Sequence, residues 1–422
     1  MQKLTSLITC TLFILFIHSE LVFADELQSI EEIRSSDESP CYPIFNFDDE
    51  VLEEDCAACR EYIEEFARPE DKPILFNELS AKNCQTVNIE FPEKPFSGWS
   101  FFTDQDLLTL DSWTDLNDDR NYTMGLGGTL TGAKFSRGIL SNVRNWFDGK
   151  FKLYTRSSSP PIESIHGLDF GITAFTPGEL EERAPIKGDR PYASLVYISS
   201  SKFKAYNDDH TIKSKFVIGI LGIDIAKAVQ RTLHNRAGFS NEDPLGWDNQ
   251  ISEGGELTAL YSVERTNLWL KDDIPSTLNW DISYSLQGNI GYYTDAAAGA
   301  DFRFGRIISP YYAHNANPLS IYNHGNCHRC LGQNNYVFIS YRARLVAYNA
   351  LLQGQVRDSK VTFSGSEIER LLHEAAVGWT FNISKAWQLT YALSYKSKEY
   401  KGSEEREHWF GGLYLTHNIQ GS

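Results

Sequence analysis

The residues of this 422-residue chain best suited to chemistry are one histidine, a few acids and two cysteine pairs. In Lys215–Ile251 the apolar, β-branched run from Phe216 to Leu221 reads as a strand ending at Gly222. A helix is expected next. Asp224 suits its N-cap, Ile225, Ala228, Val229 and Leu233 recur at helical spacing, and Gly238 stops it. Gln230 and His234, four apart, share one face of that helix. A histidine so placed can take a proton from water. Asp104 and, in the loop after His234, Glu242 and Asp243 add carboxylates. Cys56 with Cys59 and Cys327 with Cys330 form two CxxC pairs, flanked in the second case by His324 and His328. They suit disulfides or zinc. There is no GxSxG-type nucleophile elbow, and no pattern calls for a nucleotide, haem or flavin.

These residues need a scaffold, and composition says where it lies. Lys3, the apolar run Leu4–Ile17 and the small-residue site before Asp25 read as a secretory signal peptide over 1–24. The next segment, 25–95, carries 20 Asp and Glu against 6 Lys and Arg, a balance of −14 out of −17 for the whole chain. It is expected to be a small acidic domain with a helix over 47–65, holding Cys41, Cys56, Cys59 and Cys84. The remainder, 96–422, is nearly neutral. A nucleic-acid partner is excluded, because phosphate binding needs a basic face.

No later apolar run is long enough to cross a bilayer as a helix, so insertion requires a closed barrel. Twelve strands are expected near 99–108, 121–131, 166–175, 192–204, 212–221, 256–269, 278–291, 299–308, 336–349, 369–382, 386–397 and 408–418. Trp280, Ile282, Tyr284 and Leu286 alternate with Asp281, Ser283, Ser285 and Gln287, as a wall with one lipid face and one polar face does. The alternation also suits a soluble β-sandwich. With the N-terminus in the periplasm, connections after odd-numbered strands face outside. The segments 109–120, 176–191 and 222–255 then share the external end, while the loop holding Cys327 and Cys330 joins the N-terminal domain on the other side.

Several motifs recur in one order: NYTMG at Asn121–Gly125, KGDRPYAS at Lys187–Ser194, Val229, Gln230 and His234, then Gly246, Trp247 and Gln250, then AYNALLQG at Ala347–Gly354. In these the chain resembles the outer-membrane lipid A deacylase family, which removes acyl chains at the 3'-position. The resemblance implies an antiparallel transmembrane β-barrel in the bacterial outer membrane, acting as a monomer on lipid A or lipopolysaccharide. It also implies a calcium-dependent ester hydrolase with His234 as general base and Thr103, Asp104 and Thr123 at the site. Thr103 stands where the family has Asn. Asp104 and Glu242 would ligate calcium, and Gln230, Arg183 and Arg190 would meet the substrate. Arg190 has an alternative local role, pairing with Asp189 or the rim. The loop GELEERAPIKGDR departs from the family's basic character, since Glu179, Glu181 and Glu182 repel phosphate. The rival reading is a catalytically silent barrel used as a scaffold or adhesion surface. For the six cysteines left after cleavage the expectation is three disulfides or one zinc site.

Overall fold

Alternation is what closes this chain into a barrel, and it does so twelve times. The computed structural model describes residues 97–105, 108–109, 121–155, 161–206, 210–225, 227, 244–272, 278–314, 334–384 and 386–418. The strands are β1 Gly98–Gln105, β2 Asn121–Thr131, β3 Pro161–Thr176, β4 Ala193–Tyr206, β5 His210–Leu221, β6 Glu256–Lys271, β7 Asn279–Gly291, β8 Tyr293–Arg306, β9 Asn335–Asn349, β10 Leu371–Asn382, β11 Trp387–Lys396 and β12 His408–Asn418. Each pairs antiparallel with its sequence neighbour, and β1 closes on β12 from Gly98↔Asn418 to Gln105↔Gly411. The all-β barrel expectation holds strand for strand. The largest shift is β8, which starts at Tyr293 rather than near 299 because Asp295–Gly299 lacks the β-branched residues that signal a strand.

The two faces of the wall differ as a membrane barrel requires. Along β11, Trp387, Leu389, Tyr391, Leu393 and Tyr395 point outward, while Gln388, Thr390, Ser394 and Lys396 are buried in the lumen. Outward aromatics gather at both levels: Trp99 meets Trp387 at 5.3 Å near one rim, and Tyr395 meets Trp409 at 5.0 Å near the other. The lumen is filled with paired charges. Arg303 bonds Asp281, Arg344 is held between Asp295 and Glu374, and Lys215 lies 2.8 Å from Asp169. Such pairs satisfy buried charge in place and leave a packed interior rather than an open pore.

Antiparallel order puts the connections after β1, β3, β5, β9 and β11 at one end, here the motif end. A short helix, α2 (Ala350–Gln353), follows β9 there, capped by the Asn349 side chain accepting from Leu351 N–H. Its Ala350 and Leu351 insert into an apolar cluster with Phe175, Leu195, Val217 and Phe410. At the opposite end Tyr312 packs on Phe203 at 5.4 Å and His314 on Phe338 at 4.5 Å, which covers part of the lumen mouth. A longer helix, α1 (Ile139–Lys150), which the strand pattern did not suggest, follows β2 at that same end. The signal segment, the acidic extension, its boundary at 95 and all seven cysteines lie outside the described residues.

Candidate active site

Strand registers place the candidate residues near the motif-end rim of the barrel. Gln105, the last residue of β1, lies opposite Met124 of β2 and Gly411 of β12. The chain runs on past it: the Leu108 carbonyl lies against Gly411 and accepts from the Tyr391 hydroxyl at 2.9 Å. Thr103 and Asp104 lie at this end of β1, and Thr123 lies beside them on β2, two residues before Gly125, the partner of Asp104.

Thr103 and Asp104 face opposite ways, since neighbouring strand residues alternate. Asp104 is fully buried on the lumen side. Its partner across the ladder is Gly412, and a Cβ there would come within 2.6 Å of Asp104 Oδ1 and 2.7 Å of the Tyr414 hydroxyl. Glycine at 412 is thus what lets a carboxylate and a phenol converge over the backbone. Thr103 shares the outward face with the half-exposed Phe101 and accepts from Gln105 Nε2 at 3.4 Å. A centre using both residues must reach both faces of the wall at this rim.

Thr123 sits on a β-bulge, where the register between β2 and β3 shifts from Tyr122 to Met124. Bulges re-aim side chains beside active sites. Here Thr123 is buried with its Oγ1 2.7 Å from that of Thr176. Sequence reasoning did not mark Thr176, which no quoted motif contains.

The donor chemistry of Thr103 and Asp104, carboxylate and hydroxyl oxygen without thiolate, is of the kind a hard cation takes. Among the described residues no group of three or more His, Cys, Asp or Glu comes together. Of the ligands the resemblance implies, Asp104 is described, while Glu242 lies outside the described residues, as do Gln230 and His234.

The remaining motifs lock the connections at the motif end to one another. Trp247 is fully buried, 4.8 Å from the Tyr192 ring, with Leu180 and the outward-facing Met124 and Ile172 in the same cluster. Ser194 donates to Gln250 Oε1 at 2.9 Å, and Asn249 Nδ2 donates to the Arg183 carbonyl at 2.8 Å. The Arg183 side chain itself is exposed.

Arg190 requires a correction. Its guanidinium is buried, lies 4.1 Å over the Phe175 ring and pairs with Glu399 from the β11–β12 connection. A neutralised cation beneath an aromatic ring does not present itself to a lipid phosphate. The local role holds in kind, with Glu399 as partner, while Asp189 accepts from the Arg190 N–H and from the Tyr400 hydroxyl. Burial alone would raise the Glu399 carboxyl, but the Arg190 and Lys396 charges outweigh it and hold it below the ordinary range. Arg190→Ala should cost about 3–5 kcal/mol, because it leaves a buried carboxylate short of a partner. Urea unfolding followed by gel mobility would measure this. Since the Glu399 value is depressed on folding, the lock is complete above the ordinary Glu value of about 4.3 and weakens as the pH falls below it.

Against this geometry, the sequence model of the family described as "Outer membrane protein LpxR" matches residues 81–419. The chain belongs to this family. LpxR proteins are lipid A 3'-O-deacylases, so the chain is an outer-membrane ester hydrolase of that class, as its motifs led us to expect. The solved LpxR from Salmonella typhimurium is similar in fold, with a TM-score of 0.58 at 17% identity, covering 76% of this chain and 100% of that one. The β domain of the Bordetella autotransporter Brka gives 0.33 at 10% identity, covering 77% of this chain and 100% of that one. The COG4313 outer membrane channel from Pseudomonas putida F1 also gives 0.33, at 8% identity, covering 80% and 100%. A comparison with curated protein sequences gives no match.

Proposed function

We propose that the protein is a calcium-dependent lipid A 3'-O-deacylase whose reaction centre lies at the motif-end rim of β1 and β2, with the N-terminal extension in the periplasm. The observation that carries this reading is that Asp104 and Thr123 lie on neighbouring strands near one rim, at the end shared by the motif connections.

His234 takes the proton from the water that attacks the acyl carbonyl, then returns it to the departing sugar oxygen, so that one fatty acid and one free hydroxyl result. Asp104 and Glu242 would hold calcium, which when bound supplies Lewis-acid polarisation of the ester carbonyl. Thr123, braced by Thr176, orients water or ester through its remaining hydrogen-bonding capacity. Thr123 as nucleophile ranks second, because its hydroxyl is already engaged and no elbow presents it. Gln230 would bind the substrate. Arg183, exposed like Lys187 in the acidic β3–β4 connection, serves the lipid A phosphate there.

Thr103→Asn restores the amide that the family carries at this corner. In an assay of fatty acid release from lipid A by the purified protein, the variant should raise turnover or lower the calcium required by about tenfold, the worth of one good hydrogen bond to a charged or polarised group. No gain in either would remove Thr103 from the site. The silent-barrel reading expects no release from either form.

A further inference from the structure

The helix α1 is built inside out for a helix in water. Its buried stripe is polar: Ser141, Arg144 and Asp148, spaced to share one face. Arg144 donates to Ser200 Oγ at 2.8 Å and to the Ser201 carbonyl at 2.6 Å, while Asp148 accepts from Ser214 at 3.1 Å and Tyr261 at 2.8 Å. These partners lie on the outside of the wall. Lys215, next to Ser214, points into the lumen toward Asp169, so Ser214 points out. The large apolar side chains are turned away from the protein instead: Ile139 is 83% and Trp146 63% exposed, among the exposed Asn142, Asn145 and Lys150, and the cap residue Phe151 is 49% exposed beside Tyr261.

We propose that α1 is an in-plane membrane anchor, bound to the wall by its polar stripe and immersed by its apolar face in an anionic phospholipid leaflet at the β1-start end. This rests on the reading of the barrel as membrane-inserted. Two observations choose lipid as the occupant. First, the apolar face continues the outward surface of the barrel, since Phe147 stacks on outward Phe216 at 6.0 Å and on Tyr261 at 4.7 Å. Second, the charge is of the right sign. Across 132–155, with Arg144 and Asp148 paired, Lys134, Arg137, Lys150 and Lys152 leave a balance of +4 in a chain of −17. Lys152 even occupies a left-handed backbone position, φ 51°, at which glycine is the usual helix stop. A helix with an apolar face, an aromatic residue and a basic border is the pattern of helices that lie in the interface plane.

Fluorescence quenching tests this on the full chain refolded into vesicles of phosphatidylethanolamine and phosphatidylglycerol brominated on their acyl chains. Subtracting the spectrum of Trp146→Phe isolates Trp146. Subtracting that of Trp379→Phe isolates an outward residue of β10 and reports whether the barrel itself is inserted. The anchor predicts blue-shifted Trp146 emission, quenched severalfold more by bromine near the headgroup than by bromine near the chain end. It also predicts that Lys150→Glu with Lys152→Glu at least halves that quenching. Trp379 quenched with Trp146 red-shifted and unquenched would overturn the anchor alone. Blue-shifted but unquenched Trp146 emission would assign the face to protein, either a second copy or the N-terminal extension, and overturn it too. An unquenched Trp379 would overturn insertion and the anchor together.

Discussion

His234→Ala should lower lipid A acyl release by about 10²–10⁴-fold, the usual worth of a positioned general acid or base. The expectation follows from the chemistry left to the chain. Without a nucleophile elbow, ester hydrolysis depends on an activated water. His234 is the histidine that the sequence pattern sets on the external connection with Gln230 on the same helical face. The check is initial-rate measurement on the purified protein, wild type and variant, with folding verified by gel mobility. A variant that retains full rate would move the base elsewhere.

Removing calcium should be as severe. Electrophilic polarisation of a carbonyl is worth several kcal/mol, on the order of 10³-fold in rate. Chelation should therefore abolish release, and added calcium should restore it. Asp104→Ala should shift the restoring concentration upward by about tenfold or more, since it removes a carboxylate from a site built of few. Gly412→Ala should mimic it, because the new methyl group would occupy the space that Asp104 Oδ1 and the Tyr414 hydroxyl share. Titrating calcium against rate for these forms would decide. Unchanged calcium dependence in Asp104→Ala would remove Asp104 from the ligand set.

The barrel was legible because its signal is local. Each strand announces itself by alternation, as in Trp387–Lys396, and strand order in an antiparallel barrel follows chain order. Helix α1 was not legible on the same terms. Its polar stripe satisfies groups that belong to β4, β5 and β6, and nothing near it in sequence reveals those partners. The site divides in the same way. Asp104 and Thr123 could be marked by motif, but the register and the β-bulge that bring them near one another at the rim are properties of pairing between strands. Arg190 shows the reverse error. It stands in a recurring motif and invites a substrate role, yet its partner Glu399 lies 209 residues away, in a connection no motif singled out. The paired glycines Gly411 and Gly412, inside a strand, were the one local hint of a close approach there.

Mass spectrometry of lipid A from cells with and without the full chain in their outer membrane tests the central claim most directly. The account predicts a species lighter by the 3'-linked acyl substituent in cells carrying the wild-type protein, missing from cells carrying His234→Ala at equal barrel abundance. Identical lipid A spectra in all three, with the folded barrel confirmed in the outer membrane, would contradict it.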